Sequence, residues 1–398
     1  MADPAFQLKT DRTILNFGPQ HPSTHGTLRL VLEMDGEVVV RAEPHIGYLH
    51  SGFEKLGEYK TYNQWITLSD RMNYLSPLSN NIGFAQAAER LIGLEIPERA
   101  KYIRVILAEL SRIADHMVWL GTHALDIGAF TAFLYGFEAR ENLYIIFEHI
   151  TGARLTTSYT RVGGLFRDVP HDFEEMIRNF LKYFPKVLKE LHGLLTRNRI
   201  WVDRTRNIGV LSKEDAIGLG VSGPTLRGSG VPYDVRKNFP YLLYDQLDFE
   251  IPVCDDGDVY ARYLVRMEEL EQSLKIVEQC INNFPGGPVS VFDQKMKLPE
   301  KEKVYDTIEG LIHHFKNIMP GHGFEVPVGD IYDATEGPNG ELGFYLVSDG
   351  SHKAYRLRVR APSFVNFSAF NHLAKGATVS DVVAILGSLN IIAGELDR

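Results

Sequence analysis

Cysteine is nearly missing from this 398-residue sequence: Cys254 and Cys280 are the whole complement. Two thiols cannot make a disulfide framework, and such sparing use fits a reducing compartment. Nor can they supply the four thiolates of an ordinary iron–sulfur cluster or of a CxxC…CxxC zinc site. Any redox metal that serves this protein is therefore expected on another chain. Long apolar runs are lacking as well. The longest stretch free of Asp, Glu, Lys and Arg, Met72–Ala88, is interrupted by Asn73, Ser76, Pro77, Asn80 and Asn81, which excludes it as a membrane span. The opening residues, MADPAFQLKTD, hold Asp3 and Asp11 and no apolar core, so neither a secretory signal nor an Arg-rich transit peptide is expected. Positive charge is in deficit, with 42 Lys+Arg against 51 Asp+Glu and a net charge of −9. That balance offers no basic stripe for nucleic acid and no attraction to an anionic lipid surface.

What is present is an ordinary globular composition, 44% hydrophobic and 23% charged, and a chain of this length buries a large core without covalent staples. Residues 1–60 read as a β segment: GTLRLVLEM and EVVVRAE flank Asp35-Gly36, a two-residue hairpin signal. Residues 61–320 read as a helical bundle. Pro97 suits the first turn of a helix, and behind it Ile103, Ile106, Leu107, Leu110, Ile113, Ala114, Met117 and Leu120 recur at helical spacing. Further helices are expected at Glu138–Ile150, Asp172–Leu195, Val259–Asn283 and Glu300–Ile318, with a Gly- and Pro-rich loop region at about 208–240. Residues 321–398 return to β, GELGFYLVSD and KAYRLRVR flanking Asp349-Gly350, and then to a helix capped by Ser380 that runs to about Leu389. The expected class is α+β: a central helical bundle with β hairpins contributed by both terminal segments.

Local motifs are weak guides. Gly218–Gly223 spells G-x-G-x-x-G, but Pro224, Gly228, Gly230 and Pro232 follow at once. No helix is expected to open there, so a structural glycine loop is preferred to a dinucleotide site. His21 and His25 stand four apart in HPSTH. On a helix they would make a metal pair, yet Gly18, Pro19, Pro22 and Gly26 make this a loop. It reads either as a turn with hydrogen-bonded histidines, the commoner case, or as a histidine held rigidly at a pocket. His116, Trp119, His123 and Asp126 share one helix face by spacing, a pattern that more often marks a polar patch than a proton relay. Arg71 and Tyr74 carry no signal by spacing. Tyr260, Arg262, Tyr263 and Arg266 read as a solvated face.

Taken as text, GPQHPSTHGTLRL, EPHIGYLHSGFEK, DRMNYLSP, THALDIGAFT, GARL…YTRVGG, VSGPTLRGSGVPYDVRK and the terminal GELDR span nearly the whole chain. In that order they resemble the 49-kDa (D) subunits of proton-pumping NADH:quinone oxidoreductase, respiratory complex I. That family is related to the large subunits of nickel–iron hydrogenases, which hold their metal with two C-x-x-C pairs. In the resemblance Asn73 and Ser76 fall on the first pair, and Leu389–Arg398 contains no cysteine. With no thiolate there is no soft site for nickel or iron, and the resemblance implies an empty cavity that now receives quinone. It further implies that His25 and Tyr74 donate protons to the two quinone oxygens, and that Asp126 pairs with His25, favours its imidazolium and couples the chemistry to proton pumping. Ile392 is implied near the quinone head group, and Arg398, with His21, in structural or interface contacts. No cofactor is expected on this chain. Electrons are expected from a 4Fe–4S cluster on an adjacent, cluster-bearing B subunit related to hydrogenase small subunits. The C subunit, other peripheral-arm subunits and the membrane-arm H subunit are the further expected partners, on the cytoplasmic side of a bacterial inner membrane.

Departures from the family's text are informative. Many relatives read H-R-G where this chain has His50-Ser51-Gly52, and many carry histidine where it has Thr156. Both positions are implied near the cluster. Losing two positive groups there is expected to stabilise the oxidised cluster, lower its potential and suit a low-potential quinone such as menaquinone. Asn390 stands where relatives often have Asp, so a carboxylate role does not carry over. Three alternatives are separable: the same subunit in a complex fed by reduced ferredoxin or coenzyme F420, which neighbouring subunits would reveal; a hydrogenase-like enzyme with its own metal, which nickel analysis would reveal; and a purely structural subunit, which quinone-site inhibitors would fail to protect.

Overall fold

The computed structural model describes residues 12–291, 298–319 and 323–398. Residues 1–11 of the expected N-terminal β segment, and the expected boundary at 320–321, lie outside the described residues. Alternation builds the first sheet: Leu30, Leu32 and Met34 point inward from strand Arg29–Asp35 while Arg29, Val31 and Glu33 are half-exposed. This strand pairs antiparallel with Thr13–Phe17 on one side and Val38–His45 on the other. The turn comes one residue later than the sequence suggests. Asp35 pairs with Val38, so Gly36 and Glu37 make the turn, with Gly36 at φ +61°, and a bulge opposite Glu33 and Met34 absorbs the offset.

Helix Glu98–Asp126 is the axis of the middle. Every apolar residue picked out by its periodicity is buried, and so are Arg104, Glu109, Arg112, Asp115 and His116. Buried charges need partners; Arg104 pairs with Glu89 at 2.6 Å, Arg112 with Glu109 at 3.1 Å and His116 with Glu269 at 2.7 Å. Helices Phe130–Thr151, Phe173–Leu195 and Val259–Asn282 pack around it in one continuous core. The last of these corrects an expectation. Tyr260, Arg262, Tyr263 and Arg266 are buried, not solvated. Arg262 reaches Ser388 Oγ at 3.0 Å and the carbonyls of Gly257 and Gly209 at 2.9 and 2.8 Å, so its hydrogen bonds are made inside.

Other differences have local causes. The expected helix at Glu300–Ile318 is split into Lys301–Asp306 and Ile308–Ile318, because Thr307 is extended and its hydroxyl caps the second helix through Gly310 N at 3.0 Å. Region 208–240 contains one-turn helices, Lys213–Gly218, Gly223–Arg227 and Val235–Asn238. A helix does open on the glycine motif: Pro224 sits in its first turn, where its missing N–H is no loss. A helix, not a strand, precedes it. A Cβ on Gly223 would lie 2.4 Å from Gly340 Cα, so close backbone packing explains that glycine.

The second sheet runs Gly329–Gly337, Gly340–Ser348 and Arg356–Arg360, all antiparallel. Its last connection, 349–355, is longer than a two-residue turn because Lys353 leaves to pair with Thr61. Helices Tyr62–Met72 and Pro77–Ile92 pack on this sheet through Trp65, Phe84 and Phe344, with ring centres 4.3 to 5.8 Å apart. The first sheet shares a core with helix Val379–Leu389 through Leu30, Leu32, Val382 and Ile385. Thr378, not Ser380, caps that helix, in a reciprocal capping box with Asp381. A further turn of helix, Ala393–Asp397, follows. Among the described residues no helix is long and apolar enough to cross a membrane. The mixture of helix and antiparallel sheet is α+β, as the sequence pattern suggests.

Candidate functional site

The HPSTH segment folds as a single 3₁₀ turn, Pro22–Thr24, and gives its two histidines different jobs. His21 caps the turn: its Nδ1 accepts from Ser23 N at 3.2 Å, and its ring packs on Phe17 at 4.2 Å. His25 closes the turn in the left-handed region, φ +55°, with its amide donating to Pro22 O at 3.0 Å. Ser23 Oγ then donates to Asp126 Oδ1 at 3.3 Å, which docks the loop on the end of helix Glu98–Asp126.

Between that loop, the helix end and the chain's last segment lies a narrow cleft. His25, Trp119, His123, Asp126, Asn390 and Ala393 are among its lining residues, and it leaves ≈ 30 Å³ of space, room for water but little else. Helix Val379–Leu389 comes this close because Gly387 has no side chain: a Cβ there would sit 2.6 Å from His123 Cδ2. Trp119 Nε1 donates to Gly387 O at 2.7 Å, and the Arg266 guanidinium lies 4.3 Å over the Trp119 ring. Burial, reinforced by Arg266, pushes the His123 imidazole down to about 3, so it is neutral at every physiological pH.

The pairing of His25 with Asp126 differs from the expectation. No ion pair joins them; Asp126 is bound by Ser23 and acts on His25 through space. Among dense neighbours, burial lowers the His25 pKa, and the attraction of Asp126 only partly opposes it, although the residue stays open to the cleft. Burial raises the Asp126 pKa, against Ser23 and the two histidines. The carboxylate therefore does not hold an imidazolium at rest. The two proton affinities are instead drawn toward each other, the condition under which a proton moves readily between groups.

Tyr74 is not part of the cleft lining. It lies in the turn between helices Tyr62–Met72 and Pro77–Ile92, half-buried, with its phenol facing the Ala393 backbone amide. Burial, and then Asp115, raises its pKa. Next to it, Asn73 is fully engaged by hydrogen bonds. Asn73 Nδ2 donates to Asn339 Oδ1 at 2.7 Å and Glu395 Oε2 at 3.3 Å, while its Oδ1 accepts from the Leu75 and Ser76 amides, each at 3.2 Å. Asn339 donates to Asn390 O at 2.7 Å, and Asn390 donates to Asp115 Oδ1 at 2.9 Å. Side-chain amides thus knit the terminal segment to both helices. Gly394 makes the contact possible, since a Cβ would lie 2.6 Å from Arg71 O and 2.7 Å from Met72 O.

The remaining singled-out residues lie elsewhere. Ile392 is buried, its amide bound to Ser363 Oγ at 3.2 Å, and the neighbouring Ile391 lines the cleft. Ser51 and Thr156 are exposed. The loop containing Ser51 is held by Asp397, which accepts from the Gly47 and Leu49 amides at 2.8 and 2.7 Å. Arg398 packs 4.2 Å over Phe364 and reaches Glu54 at 3.3 Å. Sequence reasoning missed Asp115, Asn339 and Glu395. Asp115 left no local signal, since it stands among Glu109, Ser111, Arg112 and His116 on its helix; Glu395 lay unused within GELDR. Among the described residues no group of three His, Cys, Asp or Glu gathers as a metal site.

The chain matches, over residues 126–398, a family described as the 49 Kd subunit of respiratory-chain NADH dehydrogenase. It is 51% identical over 389 residues to the D subunit of NADH-quinone oxidoreductase from Geotalea uraniireducens, covering 98% of this chain and 99% of that one. To the D subunit from Citrifermentans bemidjiense it is 52% identical, over 96% of this chain and 98% of the other. To the D 2 subunit from Chloroflexus aurantiacus it is 50% identical, over 100% and 97%.

Proposed function

The chain belongs to the family of 49-kDa (D) subunits of NADH-quinone oxidoreductase, and on that premise we propose that its cleft and terminal segment form the chamber in which quinone is reduced. The observation that carries this is the position of Ala393. It lines the cleft that holds His25, and its amide faces the Tyr74 phenol. One short segment is thus a neighbour of both the His25 cleft and the Tyr74 phenol, which supports the reading. Quinone reduction consumes two electrons and two protons, one proton at each ring oxygen, so a site needs a donor at each end.

An iron–sulfur cluster on the adjacent B subunit supplies the electrons. This chain supplies the protons. Tyr74 gives its hydroxyl proton to one quinone oxygen, and His25, neutral at rest, passes a proton taken up from solvent to the other, its depressed pKa making the transiently protonated ring a ready donor. Asp126, with its raised pKa, refills or drains His25. A change in the protonation of this pair alters the loop that Ser23 docks on the helix end, and that is the coupling to proton translocation. The cleft in the single chain is too narrow for a ring, so entry requires the 390–396 segment to yield or the B subunit to complete the wall. Exposed Ile46, Tyr48, Leu49, Phe130, Leu134 and Tyr135 are suited to such partner contacts. The subunit then sits in the peripheral arm, on the cytoplasmic side of a bacterial inner membrane.

Labelling of the assembled complex by a photoreactive quinone tests the reading. Crosslinks are expected in residues 19–28 or 390–396, competed away by excess quinone. Labels confined to other subunits would overturn it.

A further inference from the structure

The second sheet buries one face and leaves the other open. Phe344, Leu346, Leu357 and Val359 point into the core. On the open face the register sets Tyr332 beside Tyr345, and Tyr345 beside Arg358, in one row across the three strands. The open side of such a sheet is ordinarily plain polar. This one is built of tyrosine and arginine, the side chains enriched where proteins meet. Gly343 lets the Tyr332 ring lie down across the sheet: a Cβ there would sit 2.2 Å from the Tyr332 hydroxyl, which donates to Glu341 at 2.7 Å. Beside the row, Phe364 on helix Pro362–Phe367 is exposed, and with Tyr345 and Arg358 it lines a hollow of ≈ 360 Å³, large enough to seat a partner's side chain. The charge of the face is layered. Arg356 pairs with Glu58 at 3.0 Å, a carboxylate it shares with Lys55, and Arg358 pairs with Glu54 at 3.2 Å. Those carboxylates are largely covered, with side chains 15% and 19% exposed, whereas the Arg356 and Arg358 side chains stand above them at 51% and 57%. Positive charge is therefore presented outward, on a chain whose net charge is −9. Asp330, an exposed carboxylate on the same face, is engaged by the Tyr345 hydroxyl at 3.0 Å. On the outer strand the Val359 amide already donates to Glu54 at 3.0 Å, so a partner meets the face and not the edge.

We propose that this face is the docking site for an acidic segment of a neighbouring subunit of the complex. Its carboxylates meet Arg356 and Arg358, and an apolar or aromatic side chain fills the hollow beside Phe364. Exposed ion pairs hold weakly, so a partner's carboxylate takes over Arg358 from Glu54 with little loss. A guanidinium suits that exchange, because it grips a carboxylate through two parallel hydrogen bonds. Covering the face removes water from these pairs and strengthens them. The proposal uses the chain's membership of a family of subunits and stands whether or not the cleft receives quinone.

The test uses the assembled complex with a photoreactive benzoylphenylalanine in place of Tyr345, irradiated and then mapped by mass spectrometry. The expected adduct joins this position to another subunit, in a segment where Asp and Glu outnumber Lys and Arg. An adduct with lipid, with a second copy of this chain or with a segment lacking that acidic excess would overturn the proposal, and so would no adduct at all. A companion variant, Arg356→Glu with Arg358→Glu, is expected to release the crosslinked subunit about tenfold faster or more on washing with salt. Replacing that subunit's crosslinked carboxylate residue with lysine should restore the hold. Arg199→Glu, at an exposed arginine remote from the sheet in sequence, should leave release unchanged. Parent-like release from the double variant would overturn the proposal as well. The crosslink is read with both arginines intact, so it decides the matter even if the double variant fails to assemble.

Discussion

Replacing Gly394 with alanine is the sharpest test of how the terminal segment is seated. A Cβ on this residue would stand 2.6 Å from Arg71 O and 2.7 Å from Met72 O. Both are backbone atoms at the end of helix Tyr62–Met72, so neither swings aside as a flexible side chain would. Relieving the overlap to a tight but tolerable contact requires the segment to lift by roughly 0.5 Å, and forced repacking of this kind costs ~1–3 kcal/mol. Ala393 and Glu395 move with it, which separates the Ala393 amide from Tyr74 and strains the Asn73–Glu395 hydrogen bond. Misplacement of a reacting group by 1 Å costs up to ~10²-fold in rate, so half that lift predicts a fall of about tenfold in quinone reduction. The assay is NADH-to-quinone turnover in the assembled complex, set beside NADH-to-ferricyanide turnover, which reports electron entry alone. Electron entry should be untouched. Gly193, an exposed helical glycine with open space around its Cβ position, provides the control: Gly193→Ala should be neutral or stabilise by ~0.5–1 kcal/mol. Parent-like quinone reduction in Gly394→Ala would refute the claim that this backbone contact sets the site.

Other expectations follow from the same geometry. His25→Ala and Tyr74→Phe should each slow quinone reduction by ~10²-fold while ferricyanide reduction persists; parallel loss of both activities would mean failed assembly instead. Thr156→His should introduce a pH-dependent midpoint potential in the partner's cluster, read by redox titration, and an unchanged pH slope would count against the proposed place of Thr156 beside it. Burial pushes the Glu395 carboxyl up to about 8, against ~4.3 when unfolded. The folded chain then keeps a proton that the unfolded chain has lost, so stability falls as pH rises between those values, by on the order of a few kcal/mol in total. The hydrogen-exchange protection factor at 390–396, with the base-catalysed intrinsic rate divided out, should fall over that window in the parent and stay level in Glu395→Gln.

Legibility in the sequence followed the range of the interactions. Helix Glu98–Asp126 and the helix starts near Asp172 and Asp258 were readable because their signals lie within a few residues. Tyr260–Arg266 misled because a charged helix face looks solvated until its partners are known, and those partners, Ser388 and Gly209, are remote in sequence. Tyr74 carried no local signal at all; only the wording of its neighbours pointed to it. Asp115 and Glu395 remained hidden for the same reason. A carboxyl reads as surface unless something shows it to be buried, and here that something is a set of amides brought from distant segments.

Those separations bear on the order of folding. Ser23 and Asp126 are 103 residues apart, Asn73 and Asn339 266, Asp115 and Asn390 275, and Asn73 and Glu395 322. Contacts of such long range form after local ones, because the loops they close must first be bought with chain entropy. Helices and hairpins can be in place while this knot is still open. A neighbouring subunit that recognises the closed knot would bind finished molecules and pass over immature ones, which makes the site its own certificate of maturity.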